Sequence, residues 1–149
     1  MTALLLSVHV LAGILVVGPI AVAASLFPRV AAGGPVGRGP AQLLHRICRV
    51  YAVIGVVVPV FGIATGAQLG VLTDPWLLVS MALTVVAAGV LGALILPAQR
   101  RMLDGTDTDR TVVGPGLARR LTAATGAFNL LWAVVVVLMI VRPGSTTGV

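Results

Sequence analysis

Four long apolar stretches, separated by short polar segments, dominate the chain. They run over about 3–27, 50–72, 76–96 and 121–141. A helix needs about 20 apolar residues to cross the hydrocarbon layer of a bilayer, and each stretch reaches that length. Every backbone N–H and C=O inside hydrocarbon needs a partner within its own segment, so the stretches are predicted to be helices. The pattern predicts a single domain over 1–149, an all-α membrane protein with four transmembrane helices.

The short connections between the stretches predict how the helices pack. Only Thr73, Asp74 and Pro75 separate the second stretch from the third, and Asp before Pro is typical of an N-cap followed by the first helical residue. The other two connections are predicted over 28–40 and 99–115. Helices joined by short loops pack side by side in opposite directions, which predicts an antiparallel up-down bundle.

The composition excludes a water-soluble monomer. The chain is 58% hydrophobic and 9% charged, with a mean hydropathy of +1.11, whereas soluble domains carry about 25% charged residues. Its net charge of +6 comes from ten arginines and four aspartates. These arginines are too few and too scattered for a nucleic-acid-binding face. The sequence therefore predicts the lipid bilayer as a partner, and no nucleic acid.

The arginines predict the orientation of the helices. Nine of the ten lie between the first and second or between the third and fourth stretches, and only Arg142 lies beyond the fourth. Basic loops stay in the cytoplasm, so both termini are predicted to face outward from a bacterial plasma membrane. A basic collar is predicted at the cytoplasmic face, and it is also suited to anionic lipid head groups. Its members are Arg46, Arg49, Arg100, Arg101, Arg119 and Arg120.

The first stretch has an alternative interpretation as a signal peptide, because Ala21-Val22-Ala23 is similar to a cleavage site. Its positive charges follow the apolar run instead of preceding it, which favours a retained helix.

Small residues predict where the helices touch. Gly62, Gly66 and Gly70 recur every fourth residue in the second helix, a spacing that lets two helices approach closely in lipid. These three glycines form a ridge that packs either against another helix of the same bundle, which we favour, or against a second copy in a homodimer. Pro19 and Pro59 each remove a backbone hydrogen bond and are predicted to kink the first and second helices.

His9 is the one ionisable residue predicted to lie inside the hydrocarbon. It sits about six residues into the first helix, roughly 9 Å deep at 1.5 Å per residue. An intramembrane histidine is either a functional group or a neutral imidazole bonded to a nearby hydroxyl or carbonyl. Polar residues of the second and fourth helices complete a candidate intramembrane site: Thr65, Gln68, Asn129 and Trp132.

No cofactor or metal site is predicted. His45 lies in the basic collar, at the opposite face of the membrane from His9, so the two histidines cannot serve as axial ligands to one haem. Cys48 is the only cysteine, which excludes an internal disulfide. The chain has no phosphate-binding loop, nucleophile elbow or zinc-protease motif, and an enzyme is not expected.

Several short motifs resemble a family of small bacterial four-helix integral membrane proteins of unknown function. They are Val8-His9-Val10-Leu11, Pro59 to Gly66, Pro75-Trp76, Pro97, and Met139 to Gly144. The family often has Trp-Val-Gly-Gly after the histidine, which Val16-Val17-Gly18-Pro19 replaces here. The first helix is also similar to that of copper-resistance membrane proteins, with one matching histidine. The resemblance implies the four-helix topology and no particular activity.

Two functions fit these observations. The first is a non-enzymatic component of a membrane complex, an accessory subunit or scaffold, suggested by the small size, short loops and glycine ridge. The second is a protein that handles a small molecule, metal or haem in a cavity near His9.

Overall fold

The computed structural model describes residues 2–108 and 115–144, and this part of the chain is helical without strands. Six α-helices and one π-helical turn, Val90–Ile95, follow one another. The α-helices are α1 (Thr2–Ala31), α2 (Arg38–Ile54), α3 (Val57–Leu69), α4 (Pro75–Gly89), α5 (Leu96–Thr108) and α6 (Pro115–Val141). We call α1 span one, α2 with α3 span two, α4 through α5 span three, and α6 span four.

The four spans confirm the prediction of four helices long and apolar enough to cross a membrane. They cover Ala3–Ala31, Arg38–Leu69, Pro75–Gly105 and Gly116–Val141. The predicted loops at 28–40 and 99–115 were too long, because helix continues into both. Hydropathy shows only where the apolar side chains end. The backbone hydrogen bonds of a helix do not require apolar side chains, so the helix extends into the polar segment. Of the predicted third loop, 109–114 lie outside the described residues.

Span two is interrupted between α2 and α3, four residues before Pro59. Pro59 has no N–H for the Gly55 carbonyl, which instead accepts a hydrogen bond from the Val58 N–H at 3.1 Å. The helix is therefore broken at Gly55 and Val56. Span one differs, because α1 runs as one helix through Pro19.

The π turn in span three ends at Ile95, two residues before Pro97. Leu91, Ile95 and Gln99, four residues apart, are all buried. In a regular α-helix of 3.6 residues per turn, positions four apart drift around the axis by about 40° at each step. The wider π turn offsets this drift, so the three side chains stay on the inner face.

The turn between α3 and α4 is held by Asp74 and Trp76. Asp74 occupies the N-cap position with Pro75 after it, as predicted, but its carboxylate makes no capping bond. It accepts instead from the Trp76 indole N–H at 3.0 Å. The Arg142 guanidinium lies 5.6 Å from the centre of the Trp76 ring, which joins the end of α6 to the start of α4.

A narrow core joins the spans, and the outer surface is apolar. Phe27, Ile95 and Phe128 are among the largest buried side chains. Many large aliphatic side chains in the middle of the spans point outward, including Leu15 at 65% exposure and Val85 at 72%. In water such a surface would be unstable, whereas in a bilayer it faces hydrocarbon. The fold is therefore a bundle of four helical spans whose length and apolar surface suit them to cross a membrane.

Candidate functional site

The His9 side chain is hydrogen-bonded to the backbone of span two. Its Nδ1 lies 2.9 Å from the Val58 carbonyl oxygen. A carbonyl only accepts, so Nδ1 carries the proton and donates it to the bond. Gly62 faces the ring: a Cβ at this position would lie 2.8 Å from His9 Cε1. The bond to Val58 is the carbonyl pairing that a structural histidine makes.

The structure does not gather the predicted polar partners around His9. The Thr65 hydroxyl is buried and donates to the Phe61 carbonyl of its own helix at 2.7 Å. Gln68 is exposed. Both lie on α3 with Gly62, yet neither bonds to the histidine.

Asn129 and Trp132 lie on span four and contact other groups. Asn129 Nδ2 donates to Ser25 Oγ at 3.3 Å, an interhelical bond between α6 and α1. Trp132 packs edge-on against Phe128, with ring centres 6.3 Å apart. Within the described residues, three buried atoms of α6 have no hydrogen-bond partner: Thr125 Oγ1, Asn129 Oδ1 and Trp132 Nε1. None of the four predicted partners therefore forms a hydrogen bond with His9.

The three glycines of span two have three different roles. Gly62 lies directly against the His9 ring of span one and leaves room for it. Gly66 lies against the side chains of Leu72 and Leu77, where a Cβ would come within 3.0 to 3.1 Å. Gly70 ends α3 in the left-handed conformation with φ 70°, and nothing lies within 4 Å of its Cβ position. Gly70 therefore forms a turn and is no part of a packing ridge, because a left-handed residue leaves the helical repeat.

A small cavity of about 120 Å³ lies between the spans. Its walls are almost entirely apolar, with side chains from all four spans such as Val16, Pro59, Leu91 and Phe128. Sites for organic ligands have volumes of about 300–1,000 Å³, so this one is small. His9 does not line it. Val58, whose carbonyl bonds to His9, does line it, so the hypothesis of a ligand cavity near His9 stays a prediction.

A buried polar cluster that the sequence pattern does not predict lies at the other end of span two. Gln99 is fully buried, and its Oε1 lies 2.9 Å from His45 Nδ1. Its Nε2 donates to the sulfur of Cys48 at 3.6 Å. Because Oε1 only accepts, His45 donates from Nδ1. Gln99 thus joins α5 to two residues of α2.

The two histidines are far apart. His9 bonds to Val58, and Val58 lies 13 residues after His45 in span two. At 1.5 Å per residue this separation is about 20 Å. Among the described residues, no three His, Cys, Asp or Glu side chains lie together in a group that would hold a metal ion.

A basic groove of about 530 Å³ lies between α2 and α5, next to the Gln99 cluster. We call it the α2–α5 groove. His45 lines it together with three arginines, Arg38, Arg49 and Arg100, and one acid, Asp104. Of the predicted collar, Arg49 and Arg100 therefore meet in one groove. Arg46, Arg101, Arg119 and Arg120 are exposed and do not line it.

A simple signal in the sequence marks Gln99. In the second half of span three the buried positions are Leu91, Ile95, Gln99 and Met102, three or four residues apart, and Gln99 is the polar one. Hydropathy alone assigns Gln99 to a loop, because the apolar stretch ends at Leu96.

Comparison of the chain with protein-family models, with curated proteins and with solved structures gives no match. The resemblance to the four-helix family therefore stays a prediction.

Proposed function

We propose that the protein spans the bacterial plasma membrane four times, with both termini outside. All six arginines of the predicted collar are exposed. They lie in α2, in α5 and near the start of α6, close to the two connections that the positive-inside rule assigns to the cytoplasm. Arg142 follows α6, at the other end of span four.

Labelling of single cysteines tests this orientation. In a Cys48→Ala background, Thr73→Cys is expected to react with a membrane-impermeant maleimide on intact cells. Ala32→Cys is expected to react only after permeabilisation, since it lies in a predicted cytoplasmic connection. Both positions are exposed in the structure. The reverse labelling pattern would show that the orientation is wrong.

Within the membrane, we propose a non-catalytic role as an accessory subunit or scaffold. The observation that carries this proposal is an open face of small residues on span three, formed by Gly89, Gly92 and Ala93. All three are exposed, and a Cβ on either glycine would meet nothing within 4 Å. Small residues let helices approach closely in lipid, where packing drives association. Gly62 and Gly66, by contrast, are already covered inside the chain. The proposed partner is a transmembrane helix of another protein or of a second copy.

The double variant Gly89→Leu/Gly92→Leu is expected to lose this partner, because two large side chains would hold a second helix away. Proteins retained after mild solubilisation at native expression are identified by mass spectrometry, and the mass of the complex is measured. Gly13→Leu/Gly18→Leu is the matched control in span one, because a Cβ at either position also meets nothing within 4 Å. Migration of the wild-type chain as a lone monomer, or equal loss in both variants, would refute the proposal.

A further inference from the structure

We propose that the α2–α5 groove binds the phosphate of an anionic phospholipid head group. The groove combines positive charge, an apolar wall and a position at the end of the apolar stretches. These three features match the three parts of such a lipid at the membrane surface: phosphate, glycerol backbone and the first acyl carbons.

Positive charge dominates the groove. Arg38, Arg49 and Arg100 line it against the single carboxylate of Asp104. Among the described side chains, Arg49 and Arg100 make no ion pair or hydrogen bond. Arginine presents a planar fork of N–H donors that matches phosphate oxygens. Two such side chains on facing helices are suited to bind one phosphate from both sides.

The apolar side of the groove fits the rest of a lipid. Leu96, Pro97 and Leu103 also line it. Arg49 directly precedes the apolar stretch over 50–72, and Pro97 directly follows the one over 76–96. The groove therefore lies at the predicted boundary between hydrocarbon and water, the depth of phospholipid phosphates. Its volume of about 530 Å³ is in the range of sites that enclose a small organic group.

The hydrogen bonds between Gln99, His45 and Cys48 hold one wall of the groove in a fixed position. Gln99 accepts from His45 Nδ1 at 2.9 Å, which holds the imidazole ring against α5. A wall fixed before binding loses little side-chain entropy when the head group enters.

Native mass spectrometry of the full chain, with phosphatidylglycerol as the probe, tests the proposal. The variant Arg49→Gln/Arg100→Gln is expected to weaken retention of phosphatidylglycerol by about thirtyfold, at about tenfold for 1.4 kcal/mol and about 1 kcal/mol for each arginine. The matched control is Arg101→Gln/Arg120→Gln. It removes the same charge from exposed collar positions that do not line the groove. Its retention is expected to change less than threefold.

Three outcomes would overturn the proposal. Equal loss in both variants would show that the lipid is attracted by the collar as a whole. Equal retention of phosphatidylglycerol and zwitterionic phosphatidylcholine by the wild type would show that charge does not select the lipid. Binding of inorganic phosphate at the same strength as the lipid would identify a soluble anion as the ligand. Circular dichroism of each variant establishes that the helices are intact, and these exposed arginine changes are expected to preserve them.

Discussion

Replacing Gln99 with alanine is expected to lower the free energy of unfolding by about 3 kcal/mol, because it combines a core cavity with a lost hydrogen-bond partner. The Gln99 side chain is fully buried and bonds to both His45 and Cys48. Its removal leaves a cavity between α2 and α5, and it deprives the His45 N–H of its acceptor. Titration with sodium dodecyl sulfate in mixed micelles, followed by circular dichroism, measures the change.

Gln68→Ala is the matched control for Gln99→Ala. It removes the same side chain from an exposed position in span two and is expected to change the free energy of unfolding by less than about 0.5 kcal/mol. Gln99→Leu separates packing from hydrogen bonding, because it keeps most of the volume and loses both bonds. Equal effects of Gln99→Ala and Gln68→Ala would show that the buried cluster does not stabilise the fold.

Replacing Gly62 with alanine is expected to destabilise the protein by about 2 kcal/mol, through overpacking against His9. The added Cβ would lie 2.8 Å from His9 Cε1, and the ring is held in place by its bond to the Val58 carbonyl. The imidazole has to move, and the hydrogen bond at 2.9 Å is then strained or lost. The same unfolding titration measures this change.

A double-mutant cycle isolates the contact between Gly62 and His9. In a His9→Ala background, Gly62→Ala is expected to have almost no further effect, because the clashing ring is gone. Gly126→Ala serves as a control on α6, where a Cβ meets nothing within 4 Å. A loss at Gly62 that is the same with and without the His9 ring would show that the imidazole is not the group that a Cβ meets.

Much of the fold was predictable from the sequence. Hydropathy located the four apolar helices, because hydrocarbon admits only long apolar segments with paired backbones. Pro59 also correctly predicted a distortion of the helix in span two, where the helix is interrupted four residues before it. The helix ends were less predictable, since α1 and α5 continue past their apolar stretches.

The site was harder to predict, because its chemistry depends on which helices face each other. The sequence indicates His9 but not its partner, the Val58 carbonyl, since every residue has a carbonyl. Spacing predicts one role for the three glycines of span two, where the structure shows three. Charge clustering predicts a basic collar of six arginines, but it does not predict that Arg49 and Arg100 line one groove.

Hydropathy and charge along the chain are enough to establish four apolar helices with arginines clustered in two connections. Both properties can be read from each segment of the sequence by itself, because neither depends on which helices pack against that segment. The place of Gln99 in the core, joined to His45 and Cys48, emerges only when the helices are packed together. The burial of Gln99 depends on the π turn that precedes it and on the packing of α2 beside α5. Because α2 and α5 pack together, Gln99 contacts Cys48 and His45, which lie 51 and 54 positions before it in the chain.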